Sequence, residues 1–214
     1  MLKLDNKYLL SITQDDFAEN PMEWEQLGTI LTWEDSYKSP CRNDYSSPEE
    51  FVDDYLGEDS YEKIENNSNS LVDFMKDIQN KFDKKGYLIY PVTRFEHSLV
   101  EYYIGLGGGF DSGLIGFAIV SKDEVRQMYN TKDIYKSTVQ ADFSQQLEIY
   151  TDYVNGEVYC FSLMDMEQNV IDICSGFYGT EFDKNGLMQT VNESFENDTK
   201  MEDWEQAKEK VVYY

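Results

Sequence analysis

A chain of 214 residues is long enough for one sizeable domain or two small ones. Its 42 Asp and Glu against 18 Lys and Arg leave a formal net charge of -24, which argues against a surface that attracts nucleic acid or anionic lipid. Hydrophobic residues at 41% and aromatics at 15% argue against a disordered chain, because highly charged disordered sequences are poor in aromatics.

The opening MLKLDNKYLLSITQDD turns acidic too early for a signal peptide. Within it, residues 7–13 read as a strand. Asn20-Pro21 starts a turn, and PMEWEQLGTILTW predicts a short helix followed by a strand. Ser47 is placed to cap a helix with Pro48 at its first position and Glu50 three residues after the cap. That helix runs through Phe51, Val52 and Tyr55 and stops near Gly57. After a polar break at residues 66–69, Ser70 caps a periodic helix with Leu71, Phe74, Met75, Ile78 and Phe82 on one face. Lys84-Lys85-Gly86 closes it, with cations at the C-terminus and a glycine cap.

A β-rich half follows. Residues 87–93 and 99–106 read as strands, and the unbroken apolar run LIGFAIV at 114–120 as a central strand. Ser121 and Glu124 form a capping box ahead of a helix over 122–129. A longer helix covers 137–154, with Phe143, Leu147, Tyr150 and Val154 on one stripe. Residues 157–164 and 170–174 predict a hairpin across the polar turn 165–169. The tail from 201 to 212 is amphipathic through Trp204, Ala207 and Val211. Helices placed between hairpins, without strict β-α-β alternation, predict an α+β fold. Its sheet is largely antiparallel, with packed helices. The expected division is an acidic, mainly helical N-terminal subdomain or insertion over residues 1–86 and an α+β scaffold over residues 87–214, with one continuous domain as the alternative.

The sequence carries no strong catalytic motif. Gly105 to Gly113 (GLGGGFDSG) lacks the third glycine and following helix of a dinucleotide site, the lysine of a P-loop, and the G-x-S-x-G of a nucleophile elbow. It reads as a turn between strands that needs positive φ. His97, the lone histidine, can be drawn into a triad with Ser112 or Ser98, but without the surrounding context of a nucleophile. Cys41, Cys160 and Cys174 are widely spaced with no CxxC, which argues against a disulfide framework and a structural zinc site. Cys160 and Cys174 fall on apolar strands and read as core. No segment matches a calcium-loop spacing, and no apolar run approaches the roughly 18 residues of a membrane helix. The expectation is a cytoplasmic protein with no catalytic residues, metal or cofactor, and with no direct contact to nucleic acid or membrane.

The charge itself is the best functional signal, and it is uneven. Between Asp15 and Glu65 there are sixteen acidic residues against three basic ones, Lys38, Arg42 and Lys63. Glu49, Glu50, Asp53, Asp54, Glu58, Asp59 and Glu62 recur at a spacing that puts a ladder of carboxylates along one side of a helix. Phe51, Val52 and Tyr55 lie on the other side. Helical neighbours in such a ladder stand about 5–6 Å apart, comparable in scale to backbone phosphates at about 3.4 Å of axis per strand. Basic partners at i+4 are nearly absent, so the run is unneutralised on its own chain. These seven carboxylates, with Tyr55, are the candidate partner-binding residues. The partner they fit is a basic nucleic-acid-binding protein.

This pattern resembles the small, very acidic DNA mimics that phages and mobile elements deploy against bacterial defence, among them antirestriction and anti-CRISPR proteins. The fragments NPMEWEQLGTILTW, FDSGLIGFAIVSKDEVRQMY and ICSGFYG also resemble parts of an uncharacterised phage and plasmid protein family of Gram-positive bacteria, over residues 20–36 and 87–180. The stretch from Asp44 to Phe82 looks additional to that pattern. The resemblance implies a non-enzymatic inhibitor of a CRISPR effector or restriction enzyme, acting in the host bacterial cell. The alternatives are an anti-defence hydrolase or nucleotide-modifying enzyme with a site at Gly107–Ser112, and an acidic adaptor for another basic protein.

Overall fold

The computed structural model describes residues 1–4, 7–34, 38–40 and 44–194. In chain order the elements are β1 (Leu2–Leu4), β2 (Tyr8–Gln14), a 3-10 turn (Pro21–Glu23), β3 (Thr29–Thr32), α1 (Pro48–Leu56), α2 (Ser60–Asn67) and α3 (Leu71–Lys84). They continue as β4 (Tyr87–Glu96), β5 (Val100–Ile104), β6 (Ser112–Ser121), α4 (Lys122–Met128), α5 (Lys136–Val154), β7 (Val158–Asp165), β8 (Val170–Tyr178) and α6 (Leu187–Ser194). The fold is α+β, with two four-stranded sheets whose strand pairs are all antiparallel.

The chain divides into two units, one joining Met1–Pro21 to the chain from Asp152 on, the other Met22–Thr151. This differs from the expected boundary after residue 86. The reason is strand pairing: β2 pairs with β7 along its whole length, from Tyr8↔Asp165 to Gln14↔Tyr159. Residues 1–86 are accordingly divided between the two sheets, and their helical part is confined to α1–α3.

In the first unit the strand order is β1-β2-β7-β8. Leu10, Ile12, Phe161 and Leu163 share one face by register and are buried with Phe177, Phe182 and the α6 residues Leu187 and Val191. The other face carries Leu9, Ser11, Thr13, Cys160, Ser162 and Met164, all half-buried. Such alternation marks an antiparallel sheet packed on one side. Cys160 therefore lies on the half-buried face, its Sγ 3.1 Å from Thr13 Oγ1, while Cys174 packs at the edge of the buried cluster.

In the second unit the order is β3-β6-β4-β5, with β6 central as its unbroken apolar run predicts. Both faces are covered. On one, Leu31, Ile89, Phe117 and Ile119 meet Phe51, Val52, Ile64, Phe74, Met75, Ile78 and Phe82 from α1–α3. On the other, Tyr90 meets Phe143 of α5 with ring centroids 5.9 Å apart, and Tyr102 meets Tyr150 at 5.6 Å. Gly116 makes the β3–β6 contact possible, because a Cβ there would lie 1.9 Å from the Leu31 carbonyl oxygen.

Local signals are borne out at the helix starts. Ser47, Ser70 and Ser121 each accept the backbone N–H three residues on, at 3.1 Å. Glu124 departs from a reciprocal box, since its carboxylate takes the Gly28 N–H at 2.7 Å instead. Leu71, expected on the core face of α3, is 48% exposed, and Val154 is only half-buried. Strand β1 and helix α6 were not signalled by any pattern read in the sequence. Cys41 and the amphipathic segment 201–212 lie outside the described residues.

Candidate acidic interface

The carboxylate series does not sit on one helix. Gly57 (φ 104°) ends α1, and Asp59 in the left-handed region (φ 59°) opens α2. The single ladder is thus corrected to two short helices joined by a tight turn. Asp53 explains the turn. Its Oδ2 accepts the Asp59 N–H at 2.9 Å and its Oδ1 the Tyr61 N–H at 2.8 Å. One carboxylate of the series is therefore a structural clamp, and it satisfies amides that the start of α2 would otherwise leave unpaired.

The remaining members differ in how far they are engaged. Glu50 accepts the Ser46 N–H at 2.7 Å and the Ser46 hydroxyl at 2.5 Å, and these bonds hold its carboxyl below the usual range. Asp54 accepts the Tyr45 hydroxyl at 2.9 Å. Burial first, then that bond and the Asp54 charge, push the Tyr45 phenol up to about 12. Asp59 pairs with Lys63 at 3.5 Å. Glu49, Glu58 and Glu62 are exposed, and none of their carboxylates has an ion pair among the described residues. Tyr55, proposed from sequence as a contact residue, is half-buried against Phe51, Phe82 and Tyr87, with centroids at 5.1, 5.4 and 5.0 Å. Burial raises its phenol, with Tyr87 and Asp54 adding to the effect. Its role here is to seat α1 on the sheet.

The rigid backing of this surface is aromatic. Phe51 is fully buried and stacks on Phe82 and Phe117 at 5.7 and 5.9 Å. Trp33 packs on both Phe51 and Phe117 at 5.8 Å and donates its Nε1–H to the Tyr45 carbonyl at 3.1 Å.

The glycine-rich loop gathers no catalytic arrangement. The Ser112 hydroxyl donates to the Gly109 carbonyl at 3.0 Å and accepts the Gly109 N–H at 3.1 Å, so it is engaged within its own loop. His97 Nδ1 stands 3.8 Å from Asp111 Oδ2, both side chains largely exposed. Of Gly105, Gly107, Gly108 and Gly109, Gly105 alone has a left-handed φ (138°). Gly107 is required by space instead, because a Cβ would lie 2.4 Å from Ser112 Oγ. Phe110 at the loop tip is fully exposed.

Among the described residues, no group of three or more His, Cys, Asp or Glu is placed to hold a metal ion, and no helix is long and apolar enough to cross a membrane. No family model matches the chain, and no curated protein or solved structure shows significant similarity to it.

Proposed function

We propose that this protein is a non-enzymatic inhibitor of a bacterial defence nuclease, a CRISPR effector or a restriction enzyme, whose basic nucleic-acid-binding groove it occupies with the acidic surface of α1 and α2. The observation that carries this reading is the exposure of Glu49 on α1, Glu58 in the turn and Glu62 on α2, without ion pairs among the described residues, on a segment anchored by a buried aromatic cluster. A fixed array of carboxylates can displace a polyanion because both neutralise the same lysines and arginines. Fixing the array beforehand lowers the ordering cost on binding.

The test uses Glu49→Lys, Glu58→Lys and Glu62→Lys together, which reverses charge while leaving the Asp53 clamp untouched. Against a panel of purified CRISPR effectors and restriction enzymes, the native protein blocks DNA binding stoichiometrically, and less well as salt rises. The triple variant loses affinity on the order of a hundredfold, since like charges facing each other across an interface cost several kcal/mol. Inhibition by the variant at native strength, or inhibition by sub-stoichiometric protein with turnover of a nucleotide, overturns the reading.

A further inference from the structure

Beside the acidic helices lies a cavity of about 530 Å³, entirely within the second unit. That is within the range of about 300–1,000 Å³ usual for ligand sites. Its apolar walls include Trp33, Tyr61, Phe74 and Phe117, with Leu71 at 48% exposure. Leu71 is the residue that the sequence pattern assigns to the core and the structure leaves open to solvent. Tyr61 stands edge-on to Phe74 at 5.2 Å, and Trp33 edge-on to Phe117 at 5.8 Å.

Two carboxylates line the same space, and they are not equivalent. Glu34 is already used: it receives Arg94 at 3.1 Å and the Tyr102 hydroxyl at 3.2 Å. Glu65 is exposed, and its carboxylate has no ion pair or hydrogen bond among the described residues. Its charge reaches the aromatic wall. The Tyr61 phenol is raised first by burial and then by Glu65 and Glu49. The cavity therefore combines aromatic walls, an anion with no ion pair among the described residues and a surrounding field of the same sign.

A cation with a flat, weakly hydrated body suits that combination. A guanidinium stacks on aromatic faces and pairs with a carboxylate through two parallel N–H donors, whereas an ammonium is compact and strongly hydrated. We propose that this cavity receives an arginine side chain of a basic protein partner, its guanidinium against Trp33 and Tyr61 and paired with Glu65. The proposal rests on the reading of the protein as a binder of a basic partner, and it adds a single anchoring pocket to a diffuse electrostatic contact. A nuclease arginine that otherwise holds a phosphate is the natural occupant, because the same donors serve both.

The experiment needs the full-length protein and short capped peptides, Gly-Arg-Gly, Gly-Lys-Gly and Gly-citrulline-Gly, followed by heteronuclear NMR. With the arginine peptide, saturable shifts appear at the Trp33 indole N–H and around Tyr61. The citrulline and lysine peptides bind at least about fivefold more weakly, a ratio equivalent to one modest ion pair. Glu65→Gln weakens the arginine peptide by a similar factor, and Leu71→Lys, which places an ammonium at the cavity, removes binding. Both altered positions are exposed, and an unchanged melting temperature confirms the fold. Equal binding of citrulline or lysine, or shifts that map away from Trp33 and Tyr61, overturns the proposal. The acidic-face reading is judged separately. It stands or falls on loss of nuclease inhibition by its triple variant, whereas the cavity stands or falls on discrimination among the arginine, lysine and citrulline peptides by the native protein, so either idea fails without the other.

Discussion

The two sheets have the same strand number and the same antiparallel pairing, yet they are buried in different ways. Sheet β3-β6-β4-β5 is covered on both faces, and strands β4 and β6 accordingly bury consecutive residues, 88–93 and 116–120. Sheet β1-β2-β7-β8 is packed on one face. Its edge strand β8 leaves Val170, Ile171 and Ile173 at 58%, 42% and 63% exposure. The contrast shows where this chain can carry so much charge. In the second unit a layer of helices stands between the sheet and solvent, so α1 and α2 can give one face to Phe51, Val52 and Ile64 and the other to carboxylates. The first unit has no equivalent acidic helical layer among its described residues.

Core substitutions break this comparison most sharply. Phe51→Ala removes a fully buried ring that touches Trp33, Tyr45, Tyr55, Phe82 and Phe117, and should cost about 3–5 kcal/mol by urea denaturation. Ile173→Ser, at an exposed position on the edge strand of the other sheet, should change stability by no more than about 0.5 kcal/mol. Similar losses for the two would mean that the faces are not buried as differently as described.

Charge reversal at Glu49, Glu58 and Glu62 sharpens the comparison from the functional side. Stability should change little, because relief of like-charge repulsion around α1, the turn and α2 is offset by the loss of carboxylates from the first turns of both helices, while inhibition falls. The analogous reversal of Glu167, exposed in the turn between β7 and β8, should leave inhibition unchanged in the same DNA-binding assay.

How much of this was legible in the sequence depended on the range of the interaction. Ser47, Ser70 and Ser121 were readable as caps because the serine and the amide it accepts lie three residues apart. The run Leu114–Val120 announced a strand covered on two sides by its own composition. What was not legible depended on distant or conformational partners. The pairing of β2 with β7 spans over 140 residues and set the division of the chain against the expected boundary. Asp53 looked like any member of the ladder, and only its bonds to the Asp59 and Tyr61 amides distinguish it as a clamp. The left-handed Asp59 had no signature, although Gly57 just before it was a fair warning of a break. The cavity beside α3 was missed because helical periodicity assigned Leu71 to the core.

A smaller effect tests the caps. Ser47→Ala removes the acceptor for the Glu50 N–H and should cost about 1 kcal/mol. Ser46 still orders Glu50 through two bonds in this variant, so α1 should persist in circular dichroism with a lowered urea midpoint.

The smallest effect appears at high pH and separates a buried tyrosine from one on the acidic face. Tyr90 is pushed up to about 12 first by burial, then by Asp83. Tyr45 reaches about 12 through burial together with its hydrogen bond to Asp54. Both folded values exceed the unfolded value of about 10. By linkage, the stability these phenols contribute is fully present below pH 10 and is lost as pH rises through 12. Phenolate absorbance should therefore show both tyrosines titrating late. Asp54→Asn removes the carboxylate charge that Tyr45 faces and that also acts on Tyr55, so in residue-resolved NMR Tyr45 should move to lower pH while Tyr90 stays in place. If both move together, or neither does, the Tyr45–Asp54 bond is not what ties the acidic helix α1 to the segment before it.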